Sequence, residues 1–269
     1  MPIDVKCPVL QRMTDMIAHR GPDSEGHYID EHAALGHRRL SIIDLGGGQQ
    51  PIYNEDGSKV ITFNGEIYNY QTLREELIAA GHTFTTKSDT EVLLHGYEQW
   101  GVDLLQRVRG MFTFVIWDKN KQELFGARDP FGIKPFYYAK MNGTFMYASE
   151  IKSLLRHPDF VKELNAEALK PYMTFQYPAI GETFFKGVYK LPEGHYFTYR
   201  DGKMDIHRYY DEDFREGKQK LGELVNSIDQ TVCDSVKAHQ IADVEVGSFL
   251  SSGVDSSYVA AVARPQHTY

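Results

Sequence analysis

Phe63-Asn64-Gly65-Glu66-Ile67-Tyr68-Asn69 is the stretch from which the rest of this chain can be read. Residues 60–63 form a short apolar run of strand character. Gly65 permits a backbone conformation, or a close approach, that a Cβ would forbid, and Asn69 stands where a helix cap belongs. The expectation is a strand-turn-helix corner that presents Asn64 and Glu66. Asn-Gly is also the signature of a plain turn, so these residues alone leave turn and site both open.

Upstream, Val9, Leu10, Met13, Met16 and Ile17 recur at helical spacing and predict an amphipathic helix ending before Gly21-Pro22, whereas residues 1–8 carry no period. His19-Arg20-Gly21-Pro22-Asp23-Ser24 reads as a rigid polar turn with more charge than a connection needs. Strands are expected over residues 28–37 and 40–45, flanking Arg38-Arg39. The Gly46-Gly47-Gly48 run after them is a flexible turn without a dinucleotide fingerprint, and no phosphate role is assigned to it.

Downstream, residues 70–80 predict a helix with Leu73 and Leu77 on one face and Gly81 past its end. Ser88-Asp89-Thr90-Glu91 has the form of a capping box opening a helix to Trp100. Asp89 falls in the first turn, where a carboxylate gains about 0.3–1 kcal/mol from the dipole or, if exposed, could bind an ammonium group. From Met111 the texture is β: strands over 111–117, 124–128, 136–139 and 144–149, then 188–191, 195–200 and 204–210. Between them Asp129-Pro130-Phe131-Gly132-Ile133-Lys134-Pro135 predicts a loop held in one shape, and Asn165 is placed to cap a short helix. Residues 211–220 have linker composition. After them come an amphipathic helix from Leu221 to Val236, a strand-like run over 244–250, and Ser251-Ser252-Gly253-Val254-Asp255-Ser256-Ser257 before a last helix. Strand, small-residue loop and helix start suit an anion, without the ending of a Walker loop, although a serine-rich cap alone accounts for the pattern equally well.

The chain has 269 residues, 42% hydrophobic and 25% charged, with a formal charge of −8. That balance gives no footprint for nucleic acid and no run suited to a membrane. Two cysteines, Cys7 and Cys233, make no disulfide framework, and the cytoplasm is the expected compartment. No metal-ligating set is read from the sequence.

Several of these stretches, in this order, resemble the glutamine-dependent asparagine synthases. In that family a class II glutamine amidotransferase domain precedes an ATP-pyrophosphatase domain. The resemblance is carried by residues 19–24, Arg39-Leu40-Ser41-Ile42-Ile43-Asp44, Asn64 to Asn69, Ser88 to Glu91, Arg128 to Pro135, residues 148–152 and residues 251–257. It implies an α+β fold: an αββα sandwich of the N-terminal nucleophile hydrolase kind over residues 1–212, followed over 213–269 by the first βα piece of a parallel α/β nucleotide-binding domain. It further implies that Asn64 and the Gly65 amide form an oxyanion hole, worth about 3–4 kcal/mol per donor. Arg39 would hold the glutamine α-carboxylate, Glu66 and Asp89 its α-ammonium, and Leu40, Ser41, Ile42 and Ile43 would line the pocket. Phe249, Leu250, Ser251, Ser252, Gly253, Asp255, Ser256 and Ser257 would contact ATP.

The family reaction uses glutamine, aspartate, ATP and Mg2+, and a homodimer is within the family's range. Two departures bear on activity, one at the start of the chain and one at Tyr269, where it stops one strand and one helix into a nucleotide domain that would need several more βα units to enclose ATP. Family members begin Met-Cys-Gly, so that processing leaves a cysteine whose α-amine, with a pKa of about 8, takes the thiol proton. Here Pro2 stands at the second position, and Cys7 is internal and followed by Pro8. The expectation is a chain cut at both ends, with no glutaminase or synthase activity and no tight ATP or Mg2+ binding as it stands. Ser252 also replaces the glycine more usual in the loop. Two alternatives are a non-catalytic glutamine sensor and a different amide or lactam synthetase coupled to a class II amidotransferase.

Overall fold

The computed structural model describes residues 1–177 and 181–269. They divide into two compact units, Met1–Ser41 with Gly46–Asp211, and Ile42–Leu45 with Glu212–Tyr269. In the first unit the order is α1 (Ile3–Asp15), β1 (Ser24–Ile29), β2 (Ala34–Arg39), β3 (Ile52–Tyr53), β4 (Lys59–Ile67), α2 (Tyr70–Ala79), α3 (Asp89–Trp100), β5 (Gly110–Asp118), β6 (Glu123–Arg128), β7 (Tyr137–Met141), β8 (Thr144–Ala148), α4 (Ile151–Leu154), α5 (Leu169–Phe175), β9 (Val188–Lys190), β10 (His195–Arg200) and β11 (Lys203–Arg208).

Four layers result. The central sheet runs β11-β10-β6-β5-β4-β3, and β8-β7-β9 and the β1-β2 hairpin face it. Tyr28, Leu35, Val60, Val115, Trp117, Phe136, Leu191 and Phe197 fill the space between the sheets. Outside the three-stranded sheet, α1 and α4 bury Val9, Met13 and Leu154 against Ala139, Met141, Met146 and Val188. On the far face of the central sheet lie α2 and α3, with Tyr97 stacked on Phe125 at 4.8 Å. β5 is therefore covered on both faces, which is why residues 112–117 are buried without interruption and apolar at every position but Thr113. This is the α+β, αββα arrangement.

Several expected boundaries move. β4 does not end at Phe63: it continues through Gly65 to Ile67, paired residue by residue with β5, Asn64 opposite Thr113 and Gly65 opposite Phe112. Gly65 is required by close approach, since a Cβ there would lie 2.1 Å from the Met111 carbonyl oxygen. Residues 40–45 form no strand. α1 starts at Ile3 and runs through Pro8, so residues 3–8 are helical despite lacking a period. Asn69 precedes α2 but does not cap it. Its side chain instead joins two backbone groups of another segment, donating to Arg107 O at 2.8 Å and accepting from Arg109 N at 2.9 Å. Asn165 likewise makes no side-chain cap and donates to Thr183 O at 3.0 Å.

The second unit contains α6 (Leu221–Ala238) and α7 (Val254–Ala263) in contact. The expected strand over 244–250 is reduced to one parallel bridge between Ser248 and Thr268. No residue of α6 is buried, and Cys233 is half-buried on it. Among the described residues no helix is long and apolar enough to cross a membrane.

Candidate active site

The backbone of β4 sets the site. Antiparallel pairing turns alternate residues toward and away from the neighbour. Phe112 spends its amide and carbonyl on Asp129, so Gly65, opposite it, turns its N–H to the other edge of β4. Phe63 and Ile67 share that edge, and side chains serve them where no strand does. The Gln50 carboxamide accepts from Phe63 N at 2.6 Å and donates to Phe63 O at 3.1 Å, and Asp89 Oδ2 accepts from Ile67 N at 3.0 Å. Between these two anchored positions the Gly65 N–H faces the same edge of β4. Asn64, the neighbouring residue, carries a buried Nδ2 with no hydrogen-bond partner among the described residues. A buried donor left unmade costs about 1–3 kcal/mol, so a native structure keeps one where it has a use for it.

Asp89 opens α3 as expected. Ser88 Oγ caps by accepting from Thr90 N, but the reciprocal arm is absent: Glu91 turns away to accept from the Thr85 and Thr86 amides at 2.7 and 2.6 Å. Asp89 is buried rather than exposed, and its carboxyl is pushed up to about 6, chiefly by burial, with the Glu66 charge adding to the rise and the Ile67 hydrogen bond opposing it. Two carboxylates thus share one poorly solvated place. Lys134, on the other side of Glu66, is held below the ordinary lysine range by burial, with Glu66 acting against that fall.

Arg39, at the end of β2, is buried, and its guanidinium lies against Gly48 and close to Ser88: a Cβ on Gly48 would sit 2.6 Å from Arg39 Nη2 and 3.2 Å from Ser88 Cβ. Arg39 and Asp89 are thereby brought to one neighbourhood. The polar turn at residues 19–24 fixes the Arg39 backbone. Gly21 packs so closely on the Arg38–Arg39 peptide that a Cβ would come within 2.2 Å of it, Asp23 N donates to Arg39 O at 3.0 Å, and Asp23 Oδ2 accepts from Ser41 N at 2.7 Å. Leu40 is 56% exposed. Ile42 and Ile43 group with the second unit, where Asp243 N donates to Ile42 O at 2.9 Å.

The expected fixed loop after β6 is built around two buried side chains. Asp129 accepts from Phe112, Phe131, Ile133 and Lys134 amides at 3.3, 3.1, 2.9 and 3.0 Å. Arg128 donates to the carbonyls of Lys134, Leu191 and Gly132 at 2.8, 2.6 and 2.6 Å. Together they tie the loop to β5 opposite Gly65 and place Lys134 near Glu66. Sequence reading missed Gln50, Gly48 and His37. His37 Nε2–H donates to Phe63 O at 2.9 Å, and burial, helped by the Arg39 charge, pushes its pKa down to about 4, so the ring is neutral. None of the three stands in a period or motif that points to it.

Both cysteines are free. Cys7 is exposed in the body of α1, where its nitrogen is a peptide amide. In the second unit Gly253 precedes α7, Ser251 Oγ and Ser256 Oγ lie 3.1 Å apart, and Ser252 adopts φ of 60°, the left-handed region that favours glycine. Nothing but those two hydroxyls lies within 4 Å of a Cβ built on Gly253, so the loop is open to a ligand.

The buried Asn64 donor and the Gly65 N–H thus adjoin on β4, with Asp89 bonded to Ile67 two residues further on. The family model of the glutamine amidotransferase domain matches residues 3–210, and the chain belongs to that family. Residues 227–269 match the asparagine synthase family model. The chain is 47% identical over 260 residues to asparagine synthetase [glutamine-hydrolyzing] 1 of Bacillus subtilis, covering 96% of this chain and 41% of that protein. It is 36% identical to amidase chry2 of Gibberella zeae, over 94% of this chain and 38% of that protein. It thus spans less than half the length of these relatives. Among solved structures, glutamine phosphoribosylpyrophosphate amidotransferase from B. subtilis aligns with a TM-score of 0.47 at 20% identity, over 86% of this chain and 50% of that one.

Proposed function

We propose that the first unit, drawn as residues 1–212, binds L-glutamine at the edge of β4, and that the chain is the glutamine-binding part of a glutamine-hydrolysing asparagine synthase. The observation that carries this is the buried Asn64 Nδ2 without a partner beside the outward Gly65 N–H. A carboxamide oxygen placed between those donors gains charge as its carbon becomes tetrahedral, and both donors strengthen as it does so. Asp89, with Glu66, takes the α-ammonium: the bound cation restores to the buried carboxylate the charge that burial disfavours. The Arg39 fork takes the α-carboxylate. Leu40 and Ser41 line the pocket by main chain.

The thiol step requires a base on the nucleophile. The nitrogen of Cys7 is tied up as an amide within α1, so Cys7 has no α-amine to receive its proton, and we assign it no nucleophilic role.

The 251–257 loop, with residues 213–269 taken as the start of the second domain, fits a polyphosphate. Its side chains are small, Gly253 is open, and α7 directs its first-turn amides into it. Phe249, Leu250, Ser251, Ser252, Gly253, Asp255, Ser256 and Ser257 would hold ATP with Mg2+. When bound, ATP supplies the anhydride whose cleavage activates an acceptor carboxylate, that of aspartate in the asparagine synthases. A cytoplasmic small-molecule enzyme without nucleic-acid or membrane partners, of a family whose range includes a homodimer, completes this reading.

Calorimetric titration of the purified chain with L-glutamine tests the pocket. Micromolar binding, weakened at least tenfold by Arg39→Lys, is expected. Absence of binding at millimolar glutamine, with the chain folded by circular dichroism, refutes it.

A further inference from the structure

On the sequence side of α3 away from Asp89, four ligand-type side chains from three separate segments converge. Glu55 comes from the β3–β4 hairpin turn, His82 from the connection after α2, and His95 and Glu98 from successive turns of α3. Their nearest ligand atoms all lie within 4.8 Å of one another. His95 Nδ1 is 3.0 Å from Glu98 Oε2 and 3.4 Å from Glu55 Oε2, and His82 Nδ1 is 3.5 Å from Glu55 Oε1 and 4.0 Å from Glu98 Oε2. A tetrahedral zinc site with bonds of about 2.0–2.2 Å has ligand–ligand edges of about 3.3–3.5 Å, which these separations bracket.

The surroundings are arranged as those of a metal site are. His82 Nε2 faces Gln99 Oε1 at 3.2 Å, an acceptor, so its proton sits on Nε2 and the Nδ1 lone pair points into the cluster. His95 Nε2 is buried, and its nearest acceptor is Glu91 Oε1 at 3.5 Å, giving a carboxylate behind the ring as well. Glu91 is itself clamped by the Thr85 and Thr86 hydroxyls at 2.9 and 2.6 Å. Glu98 Oε1 accepts from Asn54 Nδ2 at 2.7 Å, which leaves Oε2 for the cluster. Partners of this kind behind His82, His95 and Glu98 fix ring tautomer and carboxylate orientation. Two imidazole nitrogens and two carboxylates facing one point repel unless a proton or a metal cation lies between them. The Glu55 side chain, 38% exposed, gives an entry path, while the edge of Phe84 walls the buried side at 4.7 Å from the His95 ring.

We propose that Glu55, His82, His95 and Glu98 form a structural site for one divalent cation of the zinc class, stapling α3 to the β3–β4 hairpin and to the connection that leads into Asp89. Two imidazoles with two carboxylates suit Zn2+ better than Ca2+ or Mg2+, which take oxygen ligands.

The test uses the tag-free full chain in a C7S/C233S background, so that no thiol competes, stripped with chelator and titrated with ZnCl2 by calorimetry. Metal content after gel filtration is read by mass spectrometry. One zinc per chain is expected, with affinity reduced at least tenfold by His82→Gln and by Glu55→Gln, both partly solvent-facing positions that leave the circular dichroism spectrum unchanged. Co2+ in place of zinc is expected to give the visible absorption of a low-coordinate site, lost in H82Q. Failure to retain stoichiometric zinc from a tenfold excess, or retention unchanged in both variants, overturns the proposal and leaves a proton-bridged imidazole–carboxylate network in its place.

Discussion

Replacing Asp89 by asparagine removes one charge and keeps an oxygen to accept from Ile67 N–H. The buried carboxyl titrates near 6 in place of its ordinary 3.8. At about 1.4 kcal/mol for each such tenfold change in acidity, ionised Asp89 costs the folded, unliganded chain about 3 kcal/mol. The folded state binds more protons than the unfolded one between pH 4 and 6, so wild-type stability falls as pH rises through that window and stays at its lower value above it. Asp89→Asn has no such cost. Allowing for re-pairing of its new N–H2 with Ser88 or Glu66, the variant is expected to be about 1–3 kcal/mol more stable than wild type at pH 7.5, with a melting temperature higher by about 2–12 °C. The gain should vanish at pH 4. Glutamine affinity should fall by at least thirtyfold, because the α-ammonium loses a buried partner, a change worth about 2–5 kcal/mol. Urea denaturation of both proteins at pH 4 and 7.5, with calorimetry on each, is the assay. A variant less stable than wild type at pH 7.5, or a difference independent of pH, refutes the reasoning, as does unchanged glutamine binding.

Gly65→Ala places a methyl 2.1 Å from Met111 O and 2.8 Å from Phe112 Cα, both backbone, in the middle of the β4–β5 ladder. Overpacking that cannot be relieved by a side-chain rotation costs about 3 kcal/mol or more, visible as a lowered urea midpoint, and a loss below 1 kcal/mol would mean that the strands separate more easily than described. Asp129→Ala orphans four amides at once. Each unmade buried bond costs about 1–3 kcal/mol, so Asp129→Ala should cost more than Asp129→Asn, which keeps one acceptor oxygen, and equal losses in the two denaturation curves would contradict the clamp.

Much of the first unit was legible in the residues because local rules decided it. Leu73 and Leu77 placed α2, Ser88 placed the start of α3, and the Asn142-Gly143 pair placed the β7–β8 turn, where φ is 49° and 81°. The misread corner at Gly65 shows where local rules stop. A glycine in a strand looks like a turn from its neighbours in sequence, and only the approach of β5 reveals why a Cβ is excluded. Likewise Glu91 had the spacing of a capping box and was claimed instead by Thr85 and Thr86. Gln50 could not be recognised at all, since its role is to serve as a missing strand for Phe63. Of the candidate site, Asn64, Glu66, Asp89 and Arg39 were marked by motif, and so were the 19–24 turn and the 129–135 loop that support it, while Gln50 and His37 come from positions with no signal of their own. The strand expected over 244–250 failed for another physical reason: a parallel strand is made by its neighbours, and among the described residues Thr268 alone bridges to that run.

The most direct test of the central claim is an amide resonance titration of the 15N-labelled chain with L-glutamine. The account predicts that the Gly65 N–H and the Asn64 side-chain N–H2 shift with the same saturating dependence as the Ile67 N–H, and that Asp89→Asn abolishes all three responses. Shifts confined to other parts of the chain, or none at saturating glutamine, would contradict it.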